Sequence, residues 1–425
     1  MLSPKDLYAL VAHATHPGNS SFYRELYGLP QDSSALALHN MEEWRALPIL
    51  SKDALSAKTL AERTFIPLAD LDHIRVSSGT SGKPPLFSPR TRVRKMDYRL
   101  RFHDFKKPFL AYTIPLMPHW HERFQKEHGG SPHVLCHDPR HPRASAKLAA
   151  AAGADAFSVF VYHVRDLGEE MKVLGTNVNI RFIEVAGELC SRAQIHYMHD
   201  TFPNATIVQS YASGEVEDVH IGMPCRPLTP EEPIAHYHPK ESHYLEILDK
   251  ETGALIEPQA GAEGDLLVTS YPEGPASFPL IRYRIGDTIR VLESPCAEHD
   301  MWSFTVLGRT DMDFAKIPGG IIRADEIARI LNSFPDIVTD NFELHCIERI
   351  TGQGPRLHLT LHVDIREHTA DLETLARDIS SHLRVSPDFT YADGVRLGRY
   401  GALQCAPFAM NTKIKARRIV WDTDS

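Results

Sequence analysis

The amino-acid sequence predicts a large N-terminal α/β domain with an appended β-rich subdomain, followed by a small α+β lid domain. At 425 residues, the chain exceeds the length at which a single hydrophobic core keeps growing. Its middle part alternates helical and strand-like segments, which is typical of a parallel sheet with crossover helices. From His243 onward, strand-like segments follow one another, which indicates antiparallel structure. We place the boundary near Gly308, giving domains 1–308 and 309–425.

Hydrophobic spacing and turn residues support each predicted element in chain order. Ser3 and Pro4 begin the first helix, and residues 41–55 indicate a helix, a proline-set turn and a second short helix. The alternating part predicts helices at 144–152, 165–174 and 191–201, with strands at 157–161, 180–187 and 205–210. The carboxyl ends of such parallel strands are where ligand-binding loops lie.

The second half of the chain has two kinds of predicted structure. Strands at 243–249, 264–270, 287–293 and 301–308 are separated by glycine, proline and acidic turns, which favours an antiparallel subdomain. Beyond residue 308, a helix at 324–332, strands at 341–350 and 357–365, and a helix at 372–383 predict a compact α+β unit.

Composition excludes several classes of protein. The net charge of −9 argues against binding to the phosphates of nucleic acid. Six widely scattered cysteines form no disulfide framework and indicate reduced thiols. The most apolar segment, 148–164, is too short to span a bilayer, and the N-terminus lacks the continuous apolar region of a signal peptide. We therefore expect a cytoplasmic protein without a membrane or nucleic-acid partner.

A loop of small and hydroxyl residues follows a strand-like segment that ends at Val76. Glycines let the backbone amides approach an anion, hydroxyls donate hydrogen bonds and a lysine adds charge, which suits ATP phosphates. The Walker pattern is absent, and a flexible polar linker is the alternative interpretation. The loop residues are Ser77, Ser78, Gly79, Thr80, Ser81, Gly82 and Lys83.

Motifs along the chain, taken in order, resemble those of the acyl-adenylate-forming superfamily, and specifically its phenylacetate-CoA ligase-like branch. The similarity covers roughly residues 47–420 and includes the phosphate loop. The matching segments are LPILSKDAL at 47–55, SSGTSGKP at 77–84, AGE at 186–188, YASGE at 211–215, RYRIGD at 282–287, GRTD at 308–311 and KARRIV at 415–420. The resemblance implies a ligase that activates a small-molecule carboxylic acid with ATP and Mg²⁺.

The resemblance also implies roles for individual residues. Attack of a carboxylate on the α-phosphate brings two anions together, so cations must neutralise the transition state. Glu215 would be catalytic as the Mg²⁺ ligand, whereas Gly187, Glu188 and Tyr211 would lie beside the adenine. Asp287 would bind the ribose hydroxyls, Arg309 would support the nucleotide from an interdomain hinge, and the C-terminal lid would rotate about Asp311. The alternatives are a solvated glutamate, a turn aspartate and a surface arginine.

Lys415 is the second catalytic candidate implied by the resemblance. It would bridge the substrate carboxylate and the α-phosphate, delivered on the mobile C-terminal domain. Lys413 is the rival assignment, because the segment KIKARR holds both lysines. The family's glycine before this lysine is replaced by Ile414.

The acyl acceptor has three interpretations. CoA is favoured, with an aryl or arylacetic acid as substrate, and relatives suggest a homodimer. The loop KIPGGIIRAD at 316–325 departs from the branch pattern, so an amine, an amino acid or a carrier protein is the alternative acceptor. In YASGE, Ala212 and Gly214 replace a glycine and a hydroxyl residue, with a hydroxyl at Ser213. These changes also admit a nucleotide-binding pseudoenzyme.

Two further residue groups each have two interpretations. Cys225 with His236, His238 or His243 could hold a structural Zn²⁺, but the spacing matches no regular zinc pattern, and solvated loop histidines are the preferred interpretation. Met117, His119 and Trp120 either line the acyl pocket or pack a loop.

Overall fold

A computed structural model describes most of the chain. The described residues are 2–71, 73–76, 86–90, 101–112, 134–137, 141–187, 189–190, 192–216, 220–270, 278–309, 314–351, 354–365, 371–407 and 419–421.

Short helices and one hairpin form the N-terminal part. The first helix begins at a capping box, in which Asp6 N donates to Ser3 Oγ at 3.3 Å and Ser3 N donates to Asp6 Oδ2 at 2.8 Å. Leu7, Leu10 and Val11 form the buried stripe of this helix. The elements are α1 (Pro4–Ala14), α2 (Phe22–Leu26), α3 (Met41–Arg45), α4 (Lys52–Ser56), α5 (Leu60–Arg63), and the antiparallel strands β1 (His73–Val76) and β2 (Phe87–Arg90).

The predicted parallel sheet is present, with the strand order β4-β3-β5-β6-β7. From β5 onward its strands and helices alternate along the chain as expected, with apolar runs in the strands and amphipathic or alanine-rich segments in the crossover helices. The elements are β3 (Phe109–Tyr112), β4 (Val134–His137), α6 (Pro142–Ala152), β5 (Ala156–Phe160), α7 (Val164–Val173), β6 (Phe182–Ala186), α8 (Arg192–Thr201) and β7 (Thr206–Gln209).

An antiparallel sheet follows, with the order β12-β11-β13-β14-β15-β10-β9-β8. It contains the predicted strands and also shorter strands. The shorter strands have too few residues to show an alternation of apolar and polar side chains. The strands are β8 (Tyr211–Ala212), β9 (His220–Pro224), β10 (Tyr237–Pro239), β11 (His243–Leu248), β12 (Leu255–Ile256), β13 (Glu263–Ser270), β14 (Tyr283–Glu293) and β15 (Ser303–Arg309).

The C-terminal sheet has the order β22-β19-β18-β23, and the predicted helices pack on it. Its long hairpin, β18 with β19, is flanked by parallel outer strands. The elements are β16 (Phe314–Ile317), β17 (Gly320–Arg323), α9 (Ala324–Leu331), β18 (Val338–Thr351), β19 (Gly354–Ile365), α10 (Leu372–His382), β20 (Arg384–Ser386), β21 (Phe389–Thr390), α11 (Tyr391–Arg396), β22 (Gln404–Pro407) and β23 (Ile419–Trp421).

Separate hydrophobic clusters support these layers. One joins the N-terminal helices to the antiparallel sheet, and another lies on the parallel sheet. A third consists of residues between Ala315 and Ile419. The predicted mixed α/β architecture is therefore confirmed, whereas the division at residue 308 and the mobility of the C-terminal part stay predictions. No helix among the described residues is long and apolar enough to cross a membrane.

Candidate active site

Glu215 lies in the turn that follows β8, near the junction of the parallel and antiparallel sheets. Its backbone amide donates to Ser213 Oγ at 3.2 Å, a local bond of the kind that shapes turns. The next residue, Val216, is fully buried in the same hydrophobic cluster as Tyr211 and Tyr283. The buried neighbour and the Ser213 hydroxyl fix the turn, and with it the direction of the Glu215 side chain.

Two side chains from distant parts of the sequence contact the Glu215 carboxylate. Lys52 Nζ lies 2.8 Å from Oε1, and the Tyr283 hydroxyl donates to Oε2. The exposed fractions are 15% for the Lys52 side chain and 8% for Glu215, so water screens this ion pair weakly. We call Lys52, Glu215 and Tyr283 the Glu215 cluster.

Backbone pairing brings Lys52 and Tyr283 together. Leu50 N donates to Arg282 O at 3.0 Å, and Arg284 N donates to Leu50 O at 2.9 Å, so Leu50 pairs beside the start of β14. Ser51 caps α4 through the Ala54 amide, and Lys52 is the first helical residue. Lys52 lies in a recognisable motif, but the sequence alone assigns it no role because its contacts depend on this tertiary pairing.

Arg282 holds the same two segments together. It is buried, and its Nη1 donates to Arg45 O at 2.7 Å and also to Leu47 O. Its Nε lies 3.2 Å from Glu246 Oε2. Burial raises the pKa of Glu246, and the Arg282 charge opposes that rise. With φ of 49°, Arg282 adopts a left-handed conformation that is rare outside glycine and occurs at functional sites.

Tyr211 and Asp287 form a second polar contact. The Tyr211 hydroxyl donates to Asp287 Oδ2 at 2.6 Å. The Tyr211 ring is buried against Tyr237 and Phe304, with centroid distances of 5.6 and 6.1 Å. Asp287 in β14 pairs in register with Arg309 in the neighbouring strand β15. Tyr211 comes from β8 at the far edge of the same sheet and reaches Asp287 through its side chain.

Gly187 ends β6 in a conformation that excludes side chains. Its φ is +89°, and a Cβ there would lie 2.4 Å from Cδ1 of Phe160. The turn is also tied to β7, because Cys190 N donates to Gln209 Oε1 at 3.4 Å. Gly187 therefore lies at the carboxyl edge of the parallel sheet, where ligand loops are expected.

Several predicted site residues lie outside the described residues. These are Ser77, Ser78, Gly79, Thr80, Ser81, Gly82, Lys83, Met117, His119, Trp120, Glu188, Asp311, Lys413 and Lys415. The flanks of two such segments are described. Val76 pairs with Phe87, so the ends of the predicted phosphate loop are neighbours. Strands β22 and β23 lie at opposite edges of the C-terminal sheet, and Lys415 lies between them in the sequence.

A cavity of about 110 Å³ lies between the helices of the parallel sheet and the C-terminal sheet. Arg165 and Arg399 contribute cationic side chains, and Pro318 and Gly319 come from the unusual KIPGG segment. Arg165 Nη1 donates to Pro355 O at 3.1 Å, and Gln194 Nε2 donates to Glu348 Oε1 at 3.1 Å. These bonds join the two walls of the cavity.

The expectation of solvated loop histidines near Cys225 is wrong. His236, His238 and His243 are buried, because His238 lies in β10, His236 directly precedes β10 and His243 begins β11. His236 contacts Arg226 and Glu232, each at 2.8 Å, and His243 Nδ1 lies 3.0 Å from Ser242 Oγ. His238 lies beside Cys225, and burial lowers its pKa to about 4, so this imidazole is neutral.

Solved structures of a CoA ligase and an amido synthetase share the fold of this chain. A 2-hydroxyisobutyryl-CoA ligase in complex with 2-HIB-AMP and CoA, in the thioesterification state, is 17% identical, with a TM-score of 0.61 over 98% of this chain and 88% of that one. The same ligase in the postadenylation state has 17% identity and a TM-score of 0.57, over 98% and 89% of the two chains.

A third structure, the acyl acid amido synthetase AtGH3.15 in complex with 2,4-DB, is 12% identical, with a TM-score of 0.51 over 97% of this chain and 91% of that one. No protein-family model matches the sequence, and no curated protein matches it. The expected fold of the acyl-adenylate-forming superfamily is confirmed.

Proposed function

We propose that this chain, which has the fold of the adenylate-forming ligases, activates a carboxylic acid with ATP and transfers the acyl group to CoA. In the first step, a carboxylate oxygen attacks the α-phosphate and pyrophosphate leaves. In the second step, the CoA thiol attacks the acyl-adenylate and AMP leaves. The observation that carries this proposal is the Glu215 cluster, because it joins three of the recognised motifs around one nearly buried carboxylate.

Glu215 would hold Mg²⁺ in this reaction. A carboxylate is the hard oxygen donor that Mg²⁺ prefers, and one or two such groups suffice when phosphates and water supply the remaining ligands. Lys52 and Tyr283 orient the carboxylate, which has enough lone pairs to accept them and a cation together. When bound, Mg²⁺ neutralises charge on the phosphates of ATP. The donor set therefore fits the metal.

The remaining contacts suit a nucleotide. Asp287, oriented by the Tyr211 hydroxyl, would accept hydrogen bonds from the ribose. Gly187 follows β6 at the carboxyl edge of the parallel sheet, where the adenine would bind. Lys415 would bring positive charge to the α-phosphate from a C-terminal domain that moves about Asp311.

We assign CoA as the acceptor and an aryl or arylacetic acid as the substrate, within a phenylacetate-CoA ligase-like branch. Arg165 and Arg399 line the cavity beside the C-terminal sheet together with Asp166 and Glu348. At about 110 Å³ the cavity is too small for the whole of CoA, so these arginines would meet one of its phosphate groups. The similarity to a solved CoA ligase over 98% of this chain supports the same choice at the level of the fold.

Transfer to an amine or amino acid is the second candidate function. The observation that favours it is the similar fold of an acyl acid amido synthetase over 97% of this chain. Both candidates share adenylate formation and differ only in the nucleophile of the second step.

A pyrophosphate-exchange screen tests the first step. The purified chain would be assayed with ATP, Mg²⁺ and aryl, arylacetic, aliphatic or amino acids. We expect exchange that depends on an aryl or arylacetic acid, followed by CoA-dependent release of AMP. AMP release with an amine, but not with CoA, would favour the second candidate. Absence of exchange with every acid would favour a nucleotide-binding pseudoenzyme.

A further inference from the structure

Cys225, His238 and Cys296 meet at one end of the antiparallel sheet. Cys225 follows β9, His238 lies in β10, and Cys296 follows β14. All three are buried, and their ligand-type atoms lie within 4.8 Å of one another. The register of β9 with β10 places His238 opposite Met223, so His238 and Cys225 share one face of the sheet.

The spacing of the two sulfurs matches a metal ion between them. Cys225 Sγ lies 3.7 Å from Cys296 Sγ, and neither residue forms a disulfide. Two thiolates about 2.3 Å from one tetrahedral Zn²⁺ lie roughly 3.7 to 3.8 Å apart. The separation is too large for a disulfide bond, whose sulfurs lie about 2.05 Å apart.

His238 is held in the orientation of a metal ligand. Its Nδ1 lies 3.3 Å from Trp302 O, and a carbonyl oxygen can only accept, so Nδ1 carries the proton. Nε2 is then an acceptor, and no described residue hydrogen-bonds to this buried atom. Zinc-binding histidines commonly donate their second ring N–H to a backbone carbonyl in this way.

We propose that Cys225, His238 and Cys296 bind a structural zinc ion. Thiolate and neutral imidazole are the ligands that Zn²⁺ prefers, and binding would release the two thiol protons to solvent. His299 is the neighbour that could supply a fourth ligand, since its ring centroid lies 4.2 Å from that of His238. Its Nε2 now lies 3.1 Å from Arg101, so the imidazole would turn away from that guanidinium to bind.

The ion would join the strands that carry the nucleotide residues. Tyr237 precedes His238, and its ring contacts Tyr211, which donates to Asp287. Cys296 follows β14, the strand that contains Asp287. Bound zinc would thus fix β10 relative to β14, outside the Glu215 cluster and separate from catalytic Mg²⁺.

Metal content of the full chain tests the proposal. The protein is reduced, incubated with ZnCl₂, freed of loosely bound metal and analysed by mass spectrometry. We expect one zinc per chain, and about 5 °C or more of Tm lost on chelation, since a ligand of the folded state stabilises it. Cys225→Ser and Cys296→Ser should each weaken zinc binding at least ~100-fold, whereas Cys405→Ser, remote in the C-terminal sheet, should bind as the wild type does.

Cobalt binding to the wild type gives a result that does not depend on how the variants fold. Replacing zinc with Co²⁺ should produce a sulfur-to-metal charge-transfer band and the visible spectrum of a tetrahedral site. Two results would overturn the proposal: no stoichiometric zinc with both thiols reduced, or a disulfide between the peptides that contain Cys225 and Cys296. Full zinc content in a folded Cys225→Ser variant would do the same.

Discussion

Lys52 Nζ lies 2.8 Å from Glu215 Oε1, in an ion pair that joins helix α4 to the turn after β8. The two residues are far apart in sequence and meet because Leu50 pairs with the start of β14. In the proposed reaction, Lys52 orients the carboxylate that holds Mg²⁺. The pair therefore joins two distant segments and, in the proposed reaction, is part of the site.

Lys52→Met should destabilise the fold by roughly 2 to 3 kcal/mol, because it leaves a nearly buried carboxylate without its cation. Adding Glu215→Gln should recover part of that free energy of unfolding, since the uncompensated charge is removed. Chemical denaturation of the two single variants and the double variant measures the coupling. Lys58→Met is the matched control, because its ion pair with Glu25 is more exposed and should have little effect. If the losses in free energy of unfolding of the two single variants simply add in the double variant, the two side chains are not coupled, which would contradict this account of the ion pair.

Glu215→Gln should raise the Mg²⁺ concentration for half-maximal exchange at least ~10-fold, because a neutral amide binds this cation weakly. The measurement is pyrophosphate exchange across a Mg²⁺ titration at saturating ATP. An unchanged titration would exclude Glu215 as a ligand and make Glu217 or Asp218 the next candidates.

Arg399→Ala should raise KM for CoA by about 3- to 10-fold and leave KM for ATP unchanged, because it removes a cation from the cavity wall. Steady-state AMP release at varied CoA measures this effect. Arg396→Ala on α11 is the control, since Arg396 is paired with Asp393 and does not line the cavity. Equal KM values for CoA in both variants would exclude this cavity as the acceptor site.

Gly187→Ala should cost more stability than Gly175→Ala, although both replace a glycine with positive φ. Each substitution costs about 1 kcal/mol for the left-handed backbone. At Gly175 a Cβ meets open space, whereas at Gly187 it overlaps the Phe160 ring. Thermal unfolding compares the two, and Phe160→Leu should relieve part of the Gly187→Ala defect. Identical Tm losses in the two variants would show that the Phe160 ring adds no cost to a side chain at position 187.

Lys415→Ala should slow adenylate formation at least ~100-fold with nucleotide affinity nearly unchanged, because it removes charge stabilisation from the transition state. Lys413→Ala should have a mild effect. Single-turnover adenylate formation and equilibrium ATP binding separate the two quantities. If Lys413→Ala slows adenylate formation strongly and Lys415→Ala only mildly, Lys413 is the catalytic lysine.

Local patterns predict the middle of the parallel sheet, the longer strands of the antiparallel sheet and the C-terminal hairpin. Alternation between 144 and 210 predicts β5, β6 and β7, and the strand-like segments from 243 to 308 predict β11, β13, β14 and β15. The other strands of these sheets, including β3 and β4, and the short strands β2, β16, β17 and β20 to β23 escape prediction. Each of them has five residues or fewer and is formed by pairing with its neighbours.

Prediction of the site depends on what a motif can specify. Tyr211, Glu215 and Asp287 are candidates from the sequence because the resemblance assigns each of them a role, and those roles stay predictions. Lys52 and Arg282 also lie in matching segments but receive no role there. Their contacts arise from pairing between distant segments, as in the bond from Arg282 to Arg45 O. Cys296 joins Cys225 and His238 in the same way, since a distant turn supplies it.

Direct detection of an acyl-adenylate tests the central claim. The full chain would be mixed with ATP, Mg²⁺ and the acid selected by the exchange screen, without CoA, then quenched in acid and analysed by mass spectrometry. We predict enzyme-bound acyl-AMP and an equal amount of pyrophosphate before any CoA is added, and conversion of that acyl-AMP to AMP after CoA is added. Formation of ADP and phosphate, or of AMP without an acyl-AMP intermediate, would contradict an adenylate-forming reaction.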